Sequence, residues 1–314
     1  MFYSSEQTLL NQQQDITDFF TQQVTKQHLA TANGDLYYGF AIPEHAHTAV
    51  VISSGRIEGL DKYQELLWEL YKNNYAVFIV DHQGQGRSYR ALANPHKGFV
   101  KQFSDYAQDL DLFDNQIVKQ FWQGKKIMLG HSMGGAIAFD YLARFENNYS
   151  GVFLSAPMFD IYTKGTPKPL AKLAAKIACL LGLNTLYAFG QGDYKPEEFA
   201  VNSLTSSEIR YQLFRKTYHK EPSLQLGGVT YGWLNAAFTF ITSIEQLTLS
   251  VPMFIASAQL DTVVDNQAQH NITHKQKTAI LETFSEAKHE LLFEQDTIRR
   301  AVLTRFYEFS GSLT

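Results

Sequence analysis

The stretch "KKIMLGHSMGGAIAFDYL", Lys125 to Leu142, decides how this chain is read. An apolar run of strand character stops at a serine boxed between glycines, and a helical run begins at once. Gly130-His131-Ser132-Met133-Gly134 has the G-x-S-x-G spacing of a nucleophile elbow, a strained turn between a strand and a helix. The residues two before and two after the serine must be small, or strand and helix collide. The serine hydroxyl is then exposed, and the next backbone N–H, that of Met133, points at the reacting oxygen. The helix starting there adds a favourable partial charge for an oxyanion. Five residues match by chance in some loops; the strand before and the helix after separate an elbow from a coincidence.

Outward from the elbow the pattern alternates. "KQHLATANGDLYYGFAI" reads as two strands around the hairpin signal Asn33-Gly34. "TAVVISSG" is a buried strand, "LDKYQELLWELYKNN" an amphipathic helix with Tyr63, Leu66, Leu67 and Leu70 on one side, and "YAVFIVDHQGQG" a buried strand entering a Gly-rich loop. "DYAQDLDLFDNQIVKQFW" is helical, and "GVFLSAP", "VPMFIASAQLD" and "KTAILETF" are further strands before the closing helix "LLFEQDTIRRAVLTRFYEF". Buried strands alternating with amphipathic helices predict an α/β fold, a mostly parallel sheet with helices on both faces. The rhythm breaks over 158–250, which carries helical patterns only. The expected organisation is therefore a core over 1–157, a helical cap inserted over 158–250, and the core resumed over 251–314. An insertion at that sheet edge covers the crevice where open α/β sheets bind ligands.

Composition narrows the function. The chain has 314 residues, 45% of them apolar, enough for a sizeable core with an insertion. A net charge of −4, from 27 basic and 31 acidic residues, argues against nucleic-acid binding. The one cysteine, Cys179, leaves no internal disulfide and reads as a packing residue. The N-terminus lacks the basic start and apolar run of a secretory signal. "PLAKLAAKIACLLGL" is shorter than the roughly 20 residues that span a bilayer and carries Lys172 and Lys176, so peripheral membrane contact is the most it suggests. "DHQGQGRS" lacks the G-K-[ST] of a phosphate loop, and no metal-ligand spacing occurs, so neither cofactor nor metal is expected.

A nucleophilic serine needs a base, and the base an orienting carboxylate, in the chain order Ser, Asp or Glu, His. Asp261 falls in the loop after one buried strand and His289 just past the next, both at the edge where Ser132 belongs. Asp265 is the rival acid, but "DNQAQH" makes it a helix N-cap. His270 and His274 lie inside that helix and suit a solvated surface; His131, beside the serine, should face away from it. The second oxyanion donor should come from the loop after "AVVISS", and the Arg56 backbone N–H is assigned there. The Arg56 side chain either braces its loop by pairing with an acid such as Glu58 or reaches a substrate phosphate.

"GHSMGG", "DHQGQGRS", "SAQLDTVVDN" and "KHELLFE" resemble the α/β-hydrolase superfamily, in its monoglyceride-lipase and lysophospholipase branch. "GRIEG", "DHQGQGRSYRALANPHKGFVKQFSDYAQDL", "LSAPMF", "GGVTYGWLNAAF" and "HELLFEQD" resemble bacterial inner-membrane-associated lysophospholipases. Two departures are Gln83, where that family often has Arg, and Ser54, where a relative has Pro or His. The resemblance implies hydrolysis of the single acyl ester of a lysophospholipid by Ser132, His289 and Asp261, with monoacylglycerol or a broad range of carboxylic esters as the alternative substrate. It also implies a cytoplasmic protein touching the inner membrane. The inserted cap is expected to form an acyl tunnel and supplies Phe189, Tyr231, Trp233 and Phe238, most of which are expected simply to pack the cap against the core; Trp233 and Arg56 are the expected substrate contacts. A lipid-sequestering protein without activity is the non-enzyme reading, and the complete Ser–Asp–His set counts against it.

Overall fold

The computed structural model describes residues 1–163 and 165–313. Two short helices, α1 (Glu6–Asn11) and α2 (Gln13–Gln22), precede the hairpin β1 (Thr25–Ala30) and β2 (Asp35–Ala41). Then come β3 (Thr48–Ser53), α3 (Gln64–Lys72), β4 (Tyr75–Val80) and α4 (Ser104–Phe113). A π-helical turn, Asp114–Val118, joins α4 to a last helical turn, α5 (Lys119–Phe121). The elbow follows as β5 (Lys126–His131) and α6 (Met133–Arg144), and then β6 (Gly151–Ser155). Three helices, α7 (Lys168–Leu180), α8 (Glu208–Lys220) and α9 (Tyr231–Ile244), come before β7 (Met253–Ala258), α10 (Asn266–Lys275), β8 (Ala279–Phe284) and α11 (Asp296–Ser312).

The strands form one sheet in the order β1-β2-β4-β3-β5-β6-β7-β8. From β4 to β8 every pairing is parallel; the β1–β2 hairpin adds an antiparallel edge. The five strands from β3 to β7 are buried along their whole length, as a sheet covered on both faces requires. Side chains alternate between two cores. Val50 and Ile52 meet Leu66, Leu67 and Phe306 on one side, while Ala49 and Val51 meet Ala136 and Phe139 on the other.

Two features differ from the sequence expectation. Glu65 and Glu69 of α3 are buried rather than solvated, because Arg210 and Arg299 reach them: Arg210 Nη2 is 2.9 Å from Glu65 and Arg299 Nη1 is 2.7 Å from Glu69. The helix expected through Asn115 slips into π geometry where Asp114 turns inward. There its carboxylate accepts hydrogen bonds from Lys126 (2.7 Å), Tyr149 (2.7 Å) and Tyr141 (3.0 Å).

The segment between β6 and β7 is held unevenly. Arg210 of α8 is buried and bonds Glu65, Asp296 and the Glu294 carbonyl. By contrast, α7 packs on α9 through one face, with Ala175 and Ala178 buried, and leaves Leu170, Leu173, Ile177 and Leu180 exposed on the other. Exposed Leu181, Leu183, Leu186 and Phe189 continue that apolar surface.

At the elbow, a Cβ added to Gly134 would lie 2.1 Å from the Ser53 carbonyl oxygen and 2.4 Å from that of Ser54. One added to Gly130 would lie 2.7 Å from the Gly135 α-carbon. These are backbone atoms in the best-buried part of the sheet, so nothing flexible can give way. Gly134→Ala is therefore expected to lose about 3 kcal/mol or fail to accumulate as folded protein, the upper end of overpacking costs. Gly311→Ala, in α11 with nothing within 4 Å, should gain about 0.5–1 kcal/mol from helix propensity. Urea unfolding of both variants checks this, and equal midpoints would contradict it.

Candidate active site

Ser132 sits between β5 and α6 with φ 53° and ψ −121°, a conformation that L-residues adopt only under constraint. Its backbone is held on both sides. Its N–H donates to the Ser155 carbonyl (3.0 Å), and its carbonyl accepts from Gly135 N–H (3.0 Å) and Met158 N–H (2.9 Å). The side chain is thus projected at the C-terminal ends of β5, β7 and β8, where the loops carrying the other two candidates arrive.

His289 Nε2 lies 2.8 Å from Ser132 Oγ, and His289 Nδ1 lies 2.7 Å from Asp261 Oδ2. The other Asp261 oxygen accepts N–H groups of Val263 (2.8 Å) and Val264 (3.1 Å), which fixes the carboxylate in its plane. Burial pushes the Asp261 carboxyl up, but His289 and these two amides hold it below its ordinary value. The two loops are also tied together, because Leu260 N–H donates to the Ala287 carbonyl (2.9 Å). All three residues named from the sequence are therefore in one hydrogen-bonded row.

The rivals lie elsewhere. Asp265 caps α10 by accepting from Gln267 N–H, and Lys168 Nζ approaches it to 2.5 Å. His270 and His274 ride on α10, half-buried and exposed respectively. His131 does not simply face away. Its ring centre is 5.0 Å from that of His289, and its Nδ1 is 3.1 Å from the Ser155 carbonyl. Burial depresses the His131 pKa to about 4, so it is neutral beside the row.

Met133 is the first residue of α6, so no earlier helical turn accepts its N–H. In the loop after β3 the amides flanking Arg56 are engaged: Gly55 N–H donates to Glu58 Oε2 (2.6 Å) and Ile57 N–H to Gln85 Oε1 (3.3 Å). The Arg56 amide between them has no partner among the described residues. The Arg56 side chain does not pair with Glu58, one of its two expected roles. Glu58 is taken by Lys62 and Tyr63, and Arg56 Nη2 instead donates to the Gly227 carbonyl. Its guanidinium carbon stands 5.7 Å from the Trp233 ring, which brings the two expected substrate contacts together. Arg56 Nε is buried without a partner, and no carboxylate is within ion-pair distance among the described residues. Burial lowers its pKa to about 10.

Other expectations separate here. Trp233 and Phe238 are buried and Tyr231 is half-buried, but Phe189 is 96% exposed and lines no interior tunnel, because its loop stands clear of the core. Gln83 donates to Asp109 Oδ2 (2.7 Å) and accepts from Tyr89 (3.0 Å). Ser54 Oγ is buried without a partner. Cys179 is half-buried on α7, its Sγ 3.6 Å from the Tyr231 carbonyl. No group of residues suited to a metal ion occurs among the described residues.

Sequence reading missed a buried ion cluster next to the row. Lys62 Nζ is 2.6 Å from both Glu58 Oε1 and Glu290 Oε1. Spacing reveals only Glu58–Lys62 as an i, i+4 pair. Glu290 lies more than two hundred residues away, and only its place beside His289 could have drawn attention to it.

A family profile described as serine aminopeptidase, S33, matches residues 44–296. The chain is 33% identical to lysophospholipase L2 of Escherichia coli (strain K12), covering 94% of this chain and 89% of that one. It is 26% identical to monoglyceride lipase of Rattus norvegicus, covering 88% and 87%. A soluble variant of monoglyceride lipase from Saccharomyces cerevisiae, solved with a substrate analogue, superposes with a TM-score of 0.71 at 18% identity, covering 93% of this chain and 97% of that one. That likeness is one of fold.

The geometry separates the two carboxylates experimentally. Asp261→Asn removes the charge facing His289 Nδ1 and is expected to lower kcat by about 10⁴-fold through the wrong imidazole tautomer. Asp265→Asn keeps a residue that caps a helix equally well and loses only the partly exposed pair with Lys168, so it should cost at most about 1 kcal/mol and leave kcat within twofold. Steady-state hydrolysis of a p-nitrophenyl ester measures both, and the reverse ranking would place the acid at Asp265.

Proposed function

Because the chain belongs to the serine aminopeptidase S33 family of α/β-hydrolases, we propose that it cleaves the acyl ester of lysophospholipids through an acyl-serine formed at Ser132. It is a lipid ester hydrolase; the headgroup and the residue roles are the proposal. What carries the reading is the row of contacts from Ser132 through His289 to Asp261, at 2.8 and 2.7 Å.

In this mechanism Ser132 Oγ attacks the ester carbonyl while His289 Nε2 takes its proton. The carbonyl oxygen becomes an oxyanion facing the N–H groups of Met133 and Arg56. The ester C–O bond then breaks, and His289 returns the proton to the leaving glycerol oxygen, releasing a glycerophosphodiester. Water, deprotonated by His289, attacks the acyl-serine and releases the fatty acid. Asp261 keeps Nδ1 protonated throughout and stabilises the imidazolium. Ser132→Ala should fold normally and keep only the roughly 10³–10⁴-fold advantage over water that binding and oxyanion donors supply. It should also lose labelling by a fluorophosphonate probe. A variant with more than a few per cent of parent activity contradicts the assignment, and a parent that takes no probe favours the lipid-sequestering alternative.

Arg56 and Trp233 are proposed as the headgroup contacts. A buried guanidinium with an unpartnered Nε and no carboxylate suits a phosphodiester, which monoacylglycerol lacks. Hydrogen bonds to charged groups are worth about 1.5–3 kcal/mol, so Arg56→Gln should lower kcat/KM for lysophospholipid by about tenfold to a hundredfold and spare monoacylglycerol. Equal losses would mean that Arg56 serves only to brace the loop against Gly227, and would favour the monoacylglycerol or broad-esterase reading.

Residues 158–250 are proposed as the cap, with the exposed face of α7 as its contact with the cytoplasmic surface of a membrane. No helix is long and apolar enough to cross a membrane among the described residues. Leu173 and Ile177 are 53% and 46% exposed beside Lys172 and Lys176, a pattern that suits an anionic interface. The double variant Leu173→Glu/Ile177→Glu should sediment less with phosphatidylglycerol vesicles while hydrolysing a soluble p-nitrophenyl ester at the parent rate. Unchanged sedimentation would remove α7 from the contact.

A further inference from the structure

The cluster of Glu58, Lys62 and Glu290 is buried, with side chains no more than 8% exposed, yet none of its atoms touches Ser132. Its connections run to both loops that act on the serine. Glu58 Oε2 accepts the Gly55 N–H at 2.6 Å, one residue before the Arg56 amide. It also accepts the Tyr63 hydroxyl at 2.7 Å, while Glu58 Oε1 takes Lys62 Nζ. Lys62 spans from there to Glu290, the residue after His289. The Gln85 side-chain amide closes the loop from the other side by donating to the carbonyls of Gly55 (2.7 Å) and Glu58 (2.9 Å).

Net stability gives little reason for such a cluster. Three charges out of water cost several kcal/mol each unless they are well paired, and apolar residues of similar volume would serve stability equally well. Burial pushes the Glu58 carboxyl up, yet the Lys62 ammonium and the hydrogen bonds from Lys62 and Tyr63 bring it well below its ordinary value, so it is ionised where it grips Gly55, while burial pushes Glu290 up. Lys62 also sits 4.6 Å from the ring centres of both Phe214 and Phe293, which leaves its ammonium little freedom to leave its two carboxylates.

We infer that Glu58, Lys62 and Glu290 are positioning residues that fix the Arg56 N–H against the His289 loop, so that oxyanion donor and base keep one spacing through the reaction. The inference rests on Ser132 being the nucleophile and the Arg56 amide an oxyanion donor. The physical reason is that a donor acts only at the place the oxyanion will occupy, and an error of about 1 Å loses much of its effect. A charge-assisted bond to Gly55 holds that amide more firmly than a neutral one.

Glu58→Gln keeps the shape and one acceptor oxygen, enough for Gly55 and Tyr63, but removes the charge and turns an NH2 towards Lys62 Nζ. Lys62 retains Glu290 as a partner, so the variant keeps a neutral buried pair. We expect kcat for a p-nitrophenyl ester to fall about tenfold with KM within about twofold. The affinity for an aryl trifluoromethyl ketone, which forms a tetrahedral adduct with the serine, should fall by about the same tenfold factor. Glu290→Gln leaves the Gly55 bond intact and should give the same signature at about threefold. A purely structural role would lower the active fraction and leave the inhibition constant of the ketone unchanged; that result overturns the inference, as does kcat within twofold of the parent in both variants. Should Glu58→Gln not fold, Glu290→Gln alone decides, and failure of both to fold assigns the cluster to stability and overturns the inference too. A parent enzyme that neither hydrolyses the ester nor binds the ketone would instead sink the reading of Ser132.

Discussion

Gly134 brings the first turn of α6 against the carbonyl oxygens of Ser53 and Ser54, closer than any side-chain carbon could come. That approach sets three things at once. It forces the reversal at Ser132, whose left-handed backbone no relaxed turn would need. It aims the first free amide of α6 at the space above β5. It also places the end of β3, and so the loop from Gly55 to Glu58, opposite that amide. The geometry of the candidate site is a by-product of how tightly a helix can be laid on a parallel sheet. The strain at Ser132 persists because the bonds through Ser155, Gly135 and Met158 over-determine it.

Around this fixed point the protein spends its buried charge selectively. Asp261 is gripped by two amides as well as by His289, and Glu58 by an amide, a hydroxyl and an ammonium. Buried ion pairs are poor sources of net stability, but breaking one by removing a partner is expensive, which makes them good clamps. The segment between β6 and β7 follows the same logic. The buried Arg210 clamps α8 to α3 and α11, whereas the start of α7 is tied by Lys168, its side chain a third exposed, to Asp160 and Asp265 in two pairs. Exposed pairs of this kind are worth about 0–1 kcal/mol. One part of the segment therefore moves with the core, and the α7 part is held by packing on α9 and weak ionic contacts.

How much of this could be read in the residues depends on the range of the interaction. The elbow was legible because its chemistry is local: the glycine spacing, the strand before and the helix after all lie within eighteen residues. The parallel sheet followed from strand–helix alternation, and Asp261 and His289 from their places just past apolar runs. Asp265 was separated from Asp261 because an N-cap has its own short signature, and the bond to Gln267 N–H agrees with it. What stayed hidden is long-range. Arg56 was matched with the acid nearest in sequence, but Lys62 had already claimed Glu58, and the guanidinium crosses to Gly227. The π turn at Asp114 answers to Lys126, Tyr141 and Tyr149, and no helical periodicity announces such a pull. Phe189 looked like a tunnel residue because aromatic character says nothing about which way a loop faces.

Cys179 is the one thiol of the chain, and it stands on α7, on the side turned towards α9 rather than on the open apolar face. Burial raises its pKa, so little thiolate forms while the helix stays seated. The protein thus carries a built-in reporter at the seam between its firmly and loosely held parts. Because the sulfur is only half-buried, the rate at which an alkylating reagent consumes it, set against that of a free thiol, reports how far the packing of α7 on α9 shields it, without a mutation or an added label. A spectroscopic tag attached there would sit at the seam itself, where a change in the helix's packing alters its surroundings first.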